Sequence, residues 1–241
     1  MNIDTKAVLL VGGKGTRLRS VVSSGPKPLA AVGDKSFLEL LLRQLRHQGI
    51  DDIVFCTGYL AEQIEERFGD GRAWNINIAY SREQVPLGTG GALKLARAHL
   101  DGAREFIVMN GDSFLEIDLK SFLAFHRERR GFASMAVVPV ENAERYGTVR
   151  VGSEHRVVGF EEKNGRVAPG VINAGVYIFS PAIFDHIPDG VASLERDVFP
   201  HVLDRGVYAF ERNAMFIDIG TPEDYARAQV LCEQLDNAAL R

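Results

Sequence analysis

Residues 6–17 read KAVLLVGGKGTR, an unbroken apolar run that stops on three glycines interleaved with a lysine and an arginine. A strand with no polar alternation has no face to offer water. It belongs inside a parallel sheet with helices on both sides. The first half of the chain keeps to that demand. Strands are predicted over 6–11, 52–57, 76–80 and 105–110, alternating with helices over 37–47, 60–68, 91–100 and 122–130. Strands and helices alternating at these lengths give an α/β fold joined by crossovers. The second half is richer in strands, at 133–140, 147–151, 157–162 and 171–179, with a turn at Asn164-Gly165 and helices at 194–203 and 222–235. The expectation is one domain, 1–241, with lobes of about 1–130 and about 131–241, because no linker composition separates them.

The formal net charge of −4 gives no global basic field, which argues against a nucleic-acid partner. Any anion must be held by local cations. Cys56 and Cys232 are far apart and suggest buried thiols rather than a disulfide framework. The six histidines offer no pair at helical metal-ligand spacing. No stretch approaches the roughly 20 apolar residues of a membrane helix, and no leader is evident, so a cytoplasmic protein is expected.

The glycine loop is read by what it fails as well as by what it offers. Leu18 stands where the dinucleotide fingerprint needs its third glycine, which argues against a dinucleotide-dependent oxidoreductase. Gly15 follows Lys14 where the Walker pattern needs Ser or Thr. Closely approachable backbone amides with Arg17 as a two-pronged donor still suit a phosphate. Downstream, Pro26-Lys27-Pro28 holds a lysine on a stiff segment, a means of aiming one positive charge.

VGGKGTRL followed by PKPL resembles the sugar-phosphate nucleotidyltransferases, which join a sugar 1-phosphate to an NTP and release pyrophosphate. Further matches come in order: PLGTGGA at 86–92, Asn110-Gly111-Asp112, Tyr146-Gly147, Glu161-Glu162-Lys163, Asn173-Ala174-Gly175, and Asp218-Ile219-Gly220-Thr221-Pro222. The resemblance spans residues 8–225. It implies a Rossmann-like nucleotidyltransferase domain with a mixed, mostly parallel sheet flanked by helices and a more β-rich sugar-binding half. It also implies roles. Arg17 would hold the departing phosphates and Lys27 the α-phosphate. Leu10, Gly12, Gly13, Gly15, Thr16, Gln84, Pro86, Gly88, Thr89 and Gly111 would surround the nucleotide. Tyr146, Gly147, Glu161, Lys163 and Asn173 would bind the sugar phosphate. Asp112 and Asp218 would ligate Mg²⁺, a hard cation suited to carboxylates and phosphates. Thr221 reads independently as the cap of a helix opening on Pro222, which leaves Asp218 free. Glu195 and Asp197 read as the first turn of a helix, with no role in the reaction.

Leu10-Val11-Gly12-Gly13 resembles the guanylyltransferase form of the loop, in contrast to the Leu-Ala-Ala-Gly of many uridylyl and thymidylyl enzymes. The change from Ala to Gly makes room for a larger base or a different edge contact. Arg19-Ser20-Val21-Val22-Ser23, then PKPLA and Lys35-Ser36-Phe37-Leu38-Glu39, resembles the D-glycero-α-D-manno-heptose 1-phosphate guanylyltransferases, which serve bacterial surface polysaccharide synthesis. Mannose 1-phosphate guanylyltransferase and a pyrimidine-specific enzyme on a hexose phosphate stay open as alternatives. So does a catalytically silent nucleotide-sugar-binding subunit, although all five charged residues of the pattern are present. The partners implied are the NTP and the sugar 1-phosphate; a homo-oligomer is left open. No second, acyltransferase domain is expected after the last helix.

Overall fold

The computed structural model describes residues 5–18, 21–22, 25–161 and 167–241. Its strands, in chain order, are β1 Lys6–Leu10, β2 Ala31–Val32, β3 Lys35–Ser36, β4 Asp52–Thr57, β5 Asn77–Arg82, β6 Phe106–Asn110, β7 Ser113–Leu115, β8 Ala133–Val140, β9 Thr148–Val151, β10 Val157–Glu161, β11 Gly170–Phe179, β12 Val207–Glu211 and β13 Phe216–Asp218. The α-helices are α1 Phe37–His47, α2 Ala61–Phe68, α3 Gly88–Leu95, α4 Leu119–Arg129, α5 Pro222–Val230 and α6 Cys232–Ala238.

Nine strands form one sheet. Its path is β10-β9-β11-β6-β1-β4-β5, with β8 on the other edge of β11 and β12 beside β8. The pairings β6-β1-β4-β5 and β12-β8 are parallel, and β11 runs against both β6 and β8. Following the pairings through, only β10 and β11 oppose the other strands of this sheet. The sheet is therefore mixed and mostly parallel. β1 is buried on both faces, as its composition demands: Ala7 and Leu9 join one apolar core and Val8 the other.

Helix α1 forms where its apolar spacing places it, with Leu38, Leu41, Leu42 and Leu45 buried. Its start is fixed by a capping box in which Ser36 accepts from the Glu39 N–H and Glu39 accepts from the Ser36 N–H. Other expectations need correction. The helix expected over 91–100 begins earlier, at Gly88, and loosens into a 3₁₀ turn over Ala96–Leu100. The stretch 194–203 is not a regular helix. It opens on one wide turn, Leu194–Val198, and breaks into 3₁₀ pieces around Pro200, which has no N–H to continue a helical ladder. The helix over 222–235 is interrupted at Leu231, between α5 and α6.

Candidate active site

The glycine loop does not lead into an α-helix. After β1 the chain runs irregularly to a single 3₁₀ turn, Thr16–Leu18. A phosphate there would meet loop amides and cationic side chains rather than a helix dipole. The loop walls a cavity of about 370 Å³ whose lining includes Leu10, Gly12, Gly13, Gly15, Thr16, Arg17, Lys27, Pro86, Gly88, Thr89, Gly111 and Asp112. Arg17, Lys27 and Asp112, widely separated in the chain, thus share one space.

Several of the glycines around this cavity are required by close approach. Gly15 has φ +56°, and a Cβ there would lie 2.8 Å from Lys27 Cβ. Lys27 packs directly on this loop and reaches Asp112, with Nζ 2.6 Å from Oδ2. A Cβ on Gly111 would strike Val11 Cγ1 at 2.5 Å, so Asp112 can follow β6 only through a glycine. The Gly88–Gly91 segment has a different need. The Gly90 N–H bonds the Ala192 carbonyl at 2.8 Å, and a Cβ on Gly91 would meet the Gly190 carbonyl oxygen at 2.3 Å. These glycines seat α3 against the 190–192 segment. Thr89 shares that seam: its hydroxyl donates to Glu195 Oε2 at 3.0 Å and accepts from the Leu194 N–H at 2.8 Å.

A short two-stranded ladder brings Asp218 to Asp112. β13 pairs antiparallel with β7, setting Asp218 opposite Ser113, and the Ile219 N–H bonds the Asp112 carbonyl at 2.9 Å. Asp218 keeps one oxygen on the Gly220 N–H. Burial first, and then the negative charge of Asp112, raise the Asp218 carboxyl above its ordinary pKa. Lys27 pairs directly with Asp112 and eases the charge on Asp218 only in part, so the two carboxylates together still lack positive charge. They fit a hard divalent cation whose other ligands are phosphate oxygens and water. Among the described residues no cluster of three or more His, Cys, Asp or Glu forms a closed metal site.

Asp218 also lines a second cavity, of about 620 Å³, with Tyr146, Phe216, Arg145, Asp224 and Arg227 around it. Tyr146 stacks edge-on against Phe216, at 6.2 Å between centroids. Arg145 is held by Asp224 at 2.7 Å and by the Thr221 hydroxyl. Gly147 precedes β9, and Glu161 pairs across the ladder with Thr148. Asn173 sits on the neighbouring strand, β11, where its Nδ2 donates to the Tyr177 hydroxyl at 2.7 Å. Lys163 lies outside the described residues, as do Glu162, Asn164, Gly165, Arg19, Ser20 and Ser23.

Gln84 is exposed and does not line the first cavity, whereas its neighbour Glu83 does. Strand alternation carries the signal. Ser81 is buried, Arg82 exposed, Glu83 half-buried and Gln84 exposed, so the period of two from β5 turns Glu83 inward. Asn110 is a second lining residue without an assigned role, and its buried Oδ1 has no partner among the described residues. Glu195, read as a plain helix start, instead gathers the hydroxyls of Tyr177, Ser193 and Thr89.

This sheet, with a glycine loop and two cations behind its first strand and Asp112 and Asp218 brought together across the β7–β13 ladder, is that of a phosphate-transferring α/β enzyme. The chain belongs to the nucleotidyl transferase family, whose model matches residues 6–234. It is 42% identical over 226 residues to the D-glycero-alpha-D-manno-heptose 1-phosphate guanylyltransferase of Aneurinibacillus thermoaerophilus, covering 93% of this chain and 96% of that protein. It is 39% identical to the mannose-1-phosphate guanylyltransferase of Mycobacterium tuberculosis, covering 92% of this chain and 62% of that longer protein. Among solved structures, HddC from Yersinia pseudotuberculosis complexed with GMP-PN superposes with a TM-score of 0.84 at 36% identity, covering 94% of this chain and 98% of that one. Among the described residues no helix is long and apolar enough to cross a membrane.

Proposed function

We propose that this enzyme transfers GMP from GTP to D-glycero-α-D-manno-heptose 1-phosphate, giving GDP-heptose and pyrophosphate. One observation carries the chemistry. Arg17, Lys27 and Asp112 share the first cavity, and the β7–β13 ladder sets Asp218 beside them on the edge of the second. An in-line displacement needs its attacking and leaving oxygens on opposite sides of one phosphorus. One cavity lined by Asp112 and another lined by Asp218, brought together by that ladder, fit such a layout. The sugar phosphate is already ionised at neutral pH and needs no general base, so the protein's task is positioning and charge neutralisation.

In this reading Arg17 takes the departing phosphates and Lys27 the α-phosphate, leaving Asp112 for the metal. Mg²⁺ held by Asp112 and Asp218 would neutralise charge on the phosphate oxygens. Tyr146, Gly147, Glu161 and Asn173 orient the sugar, and Lys163 receives its phosphate. The choice of heptose rests on the RSVVS and PKPLA stretches, supported by the 42% identical relative. The surface-polysaccharide role goes with that choice.

The test is pyrophosphate release with Mg²⁺ from a panel of GTP, ATP, UTP, dTTP and CTP, each paired with heptose, mannose and glucose 1-phosphates. Release with GTP and the heptose phosphate is expected. Preference for mannose 1-phosphate would reassign the sugar, preference for a pyrimidine would overturn the base, and silence with every pair would make the chain a non-catalytic binder.

A further inference from the structure

Glu195 lines neither cavity, yet its carboxylate is fully engaged. Among the described residues it is held by hydroxyls alone. Oε1 accepts from Tyr177 at 3.1 Å, and Oε2 accepts from Ser193 at 2.8 Å and from Thr89 at 3.0 Å. A glutamate that only opened a solvated helix would need none of these partners. Two of the three lead on to groups on opposite sides of the reaction.

A carboxylate only accepts, so each hydroxyl donates to it and turns its lone pairs elsewhere. Burial, and after it the Glu195 charge, push the Tyr177 hydroxyl well above its ordinary pKa, so it keeps the proton it donates. Its lone pairs take the Asn173 Nδ2–H at 2.7 Å. At the other end of that amide, Oδ1 accepts from the Gly175 N–H at 3.0 Å. Turned over, the amide would set oxygen against the Tyr177 lone pairs and N–H against N–H. A regular strand keeps residues four apart about 13 Å from each other. The register of β11 shifts between Asn173 and Tyr177, around Gly175 at φ +74°, and the two side chains meet across that irregularity.

The second oxygen serves the nucleotide side. Thr89, on the wall of the first cavity, donates to it and accepts from the Leu194 N–H at 2.8 Å. The segment that carries Glu195 is itself fixed. The Ala192 N–H bonds the Leu87 carbonyl and the Gly90 N–H bonds the Ala192 carbonyl, both at 2.8 Å. The Ser193 N–H donates to Asp197 Oδ2 at 2.7 Å, which closes the start of the wide turn.

We propose that Glu195 is a positioning residue joining the two substrate sides: one oxygen fixes Tyr177 and through it the amide orientation of Asn173, and the other fixes Thr89. The proposal rests on the reading of Asn173 as a sugar contact and Thr89 as a nucleotide contact, and adds the group that aligns them.

Kinetics and NMR together test it, on wild type, Glu195→Ala, Tyr177→Phe, Thr89→Val and the Glu195→Ala/Tyr177→Phe double variant. Tyr177→Phe should raise KM for the sugar 1-phosphate about 10-fold and leave KM for GTP within about twofold. Thr89→Val should do the reverse, and Glu195→Ala should raise both. The double variant should have the sugar-phosphate KM of Tyr177→Phe alone, because the two changes cut one relay. In the ligand-free proteins the Asn173 side-chain amide signals should move in Glu195→Ala and Tyr177→Phe and hold still in Thr89→Val. The proposal is overturned if Glu195→Ala lowers the melting temperature but leaves both KM values normal, or if the Glu195 and Tyr177 effects multiply. Amide signals that ignore Glu195→Ala would overturn it as well. Signals that move while the sugar-phosphate KM stays normal would uphold the relay and remove Asn173 from the sugar site. A wild type without turnover would sink the transferase reading alone, with the NMR arm still deciding the relay.

Discussion

At the scale of single residues, the account turns on charge placed where it is costly without substrate. Asp218 is half-buried and repelled by Asp112, so its side chain works against the stability of the empty protein. Asp218→Asn should therefore cut turnover at least about 100-fold. The melting temperature of the unliganded protein should stay level or rise. A variant that loses activity only by unfolding would contradict this. Gly15 makes a complementary case. Its left-handed backbone and the 2.8 Å approach to Lys27 mean that Gly15→Ala must push the lysine aside. A displacement of that order should lower kcat about 10- to 100-fold, with little change in KM for the sugar phosphate. A normal kcat would remove Lys27 from the reacting centre.

At the scale of elements, helix α4 docks on β8 through a buried histidine. His126 Nδ1 lies 2.9 Å from the Ser134 hydroxyl. Burial lowers its pKa, opposed by Glu105 and aided by Arg127. A histidine with a folded pKa below its unfolded value of about 6.5 leaves stability intact above that pH. The unfolded chain then binds the extra proton as pH falls, and stability declines. Urea unfolding between pH 8 and 5 should show a steeper acid-side loss for wild type than for His126→Gln; equal slopes would contradict the assignment. Local sequence made much of this architecture legible. The α1 boundaries follow from apolar spacing and the Ser36–Glu39 cap, and β1, β4, β6 and β8 from their apolar runs. What escaped depends on distant partners. β12 forms because β8 offers it an edge, and β7 is a three-residue strand that exists only through its pairing with β13. The break at Leu231 has no Gly or Pro to announce it; α5 is instead anchored by Tyr225 and Gln229, both reaching the Ala31 carbonyl.

At the scale of the molecule, the β7–β13 pairing joins two halves of a site. Residues of the first half supply the glycine loop, Lys27 and Asp112; the second supplies Asp218 and the second cavity. Motif order in the sequence announced these parts. Their convergence on one boundary, the inward turn of Glu83 and the hydroxyl cluster on Glu195 required the fold. The central claim is that two anions meet directly at that boundary, with no nucleotidyl group parked on the protein. Exchange of labelled pyrophosphate into GTP tests it. With Mg²⁺ and GTP alone the account predicts no exchange, and exchange should begin when the sugar 1-phosphate is added. Label entering GTP without any sugar phosphate would reveal a covalent nucleotidyl-enzyme and contradict the account.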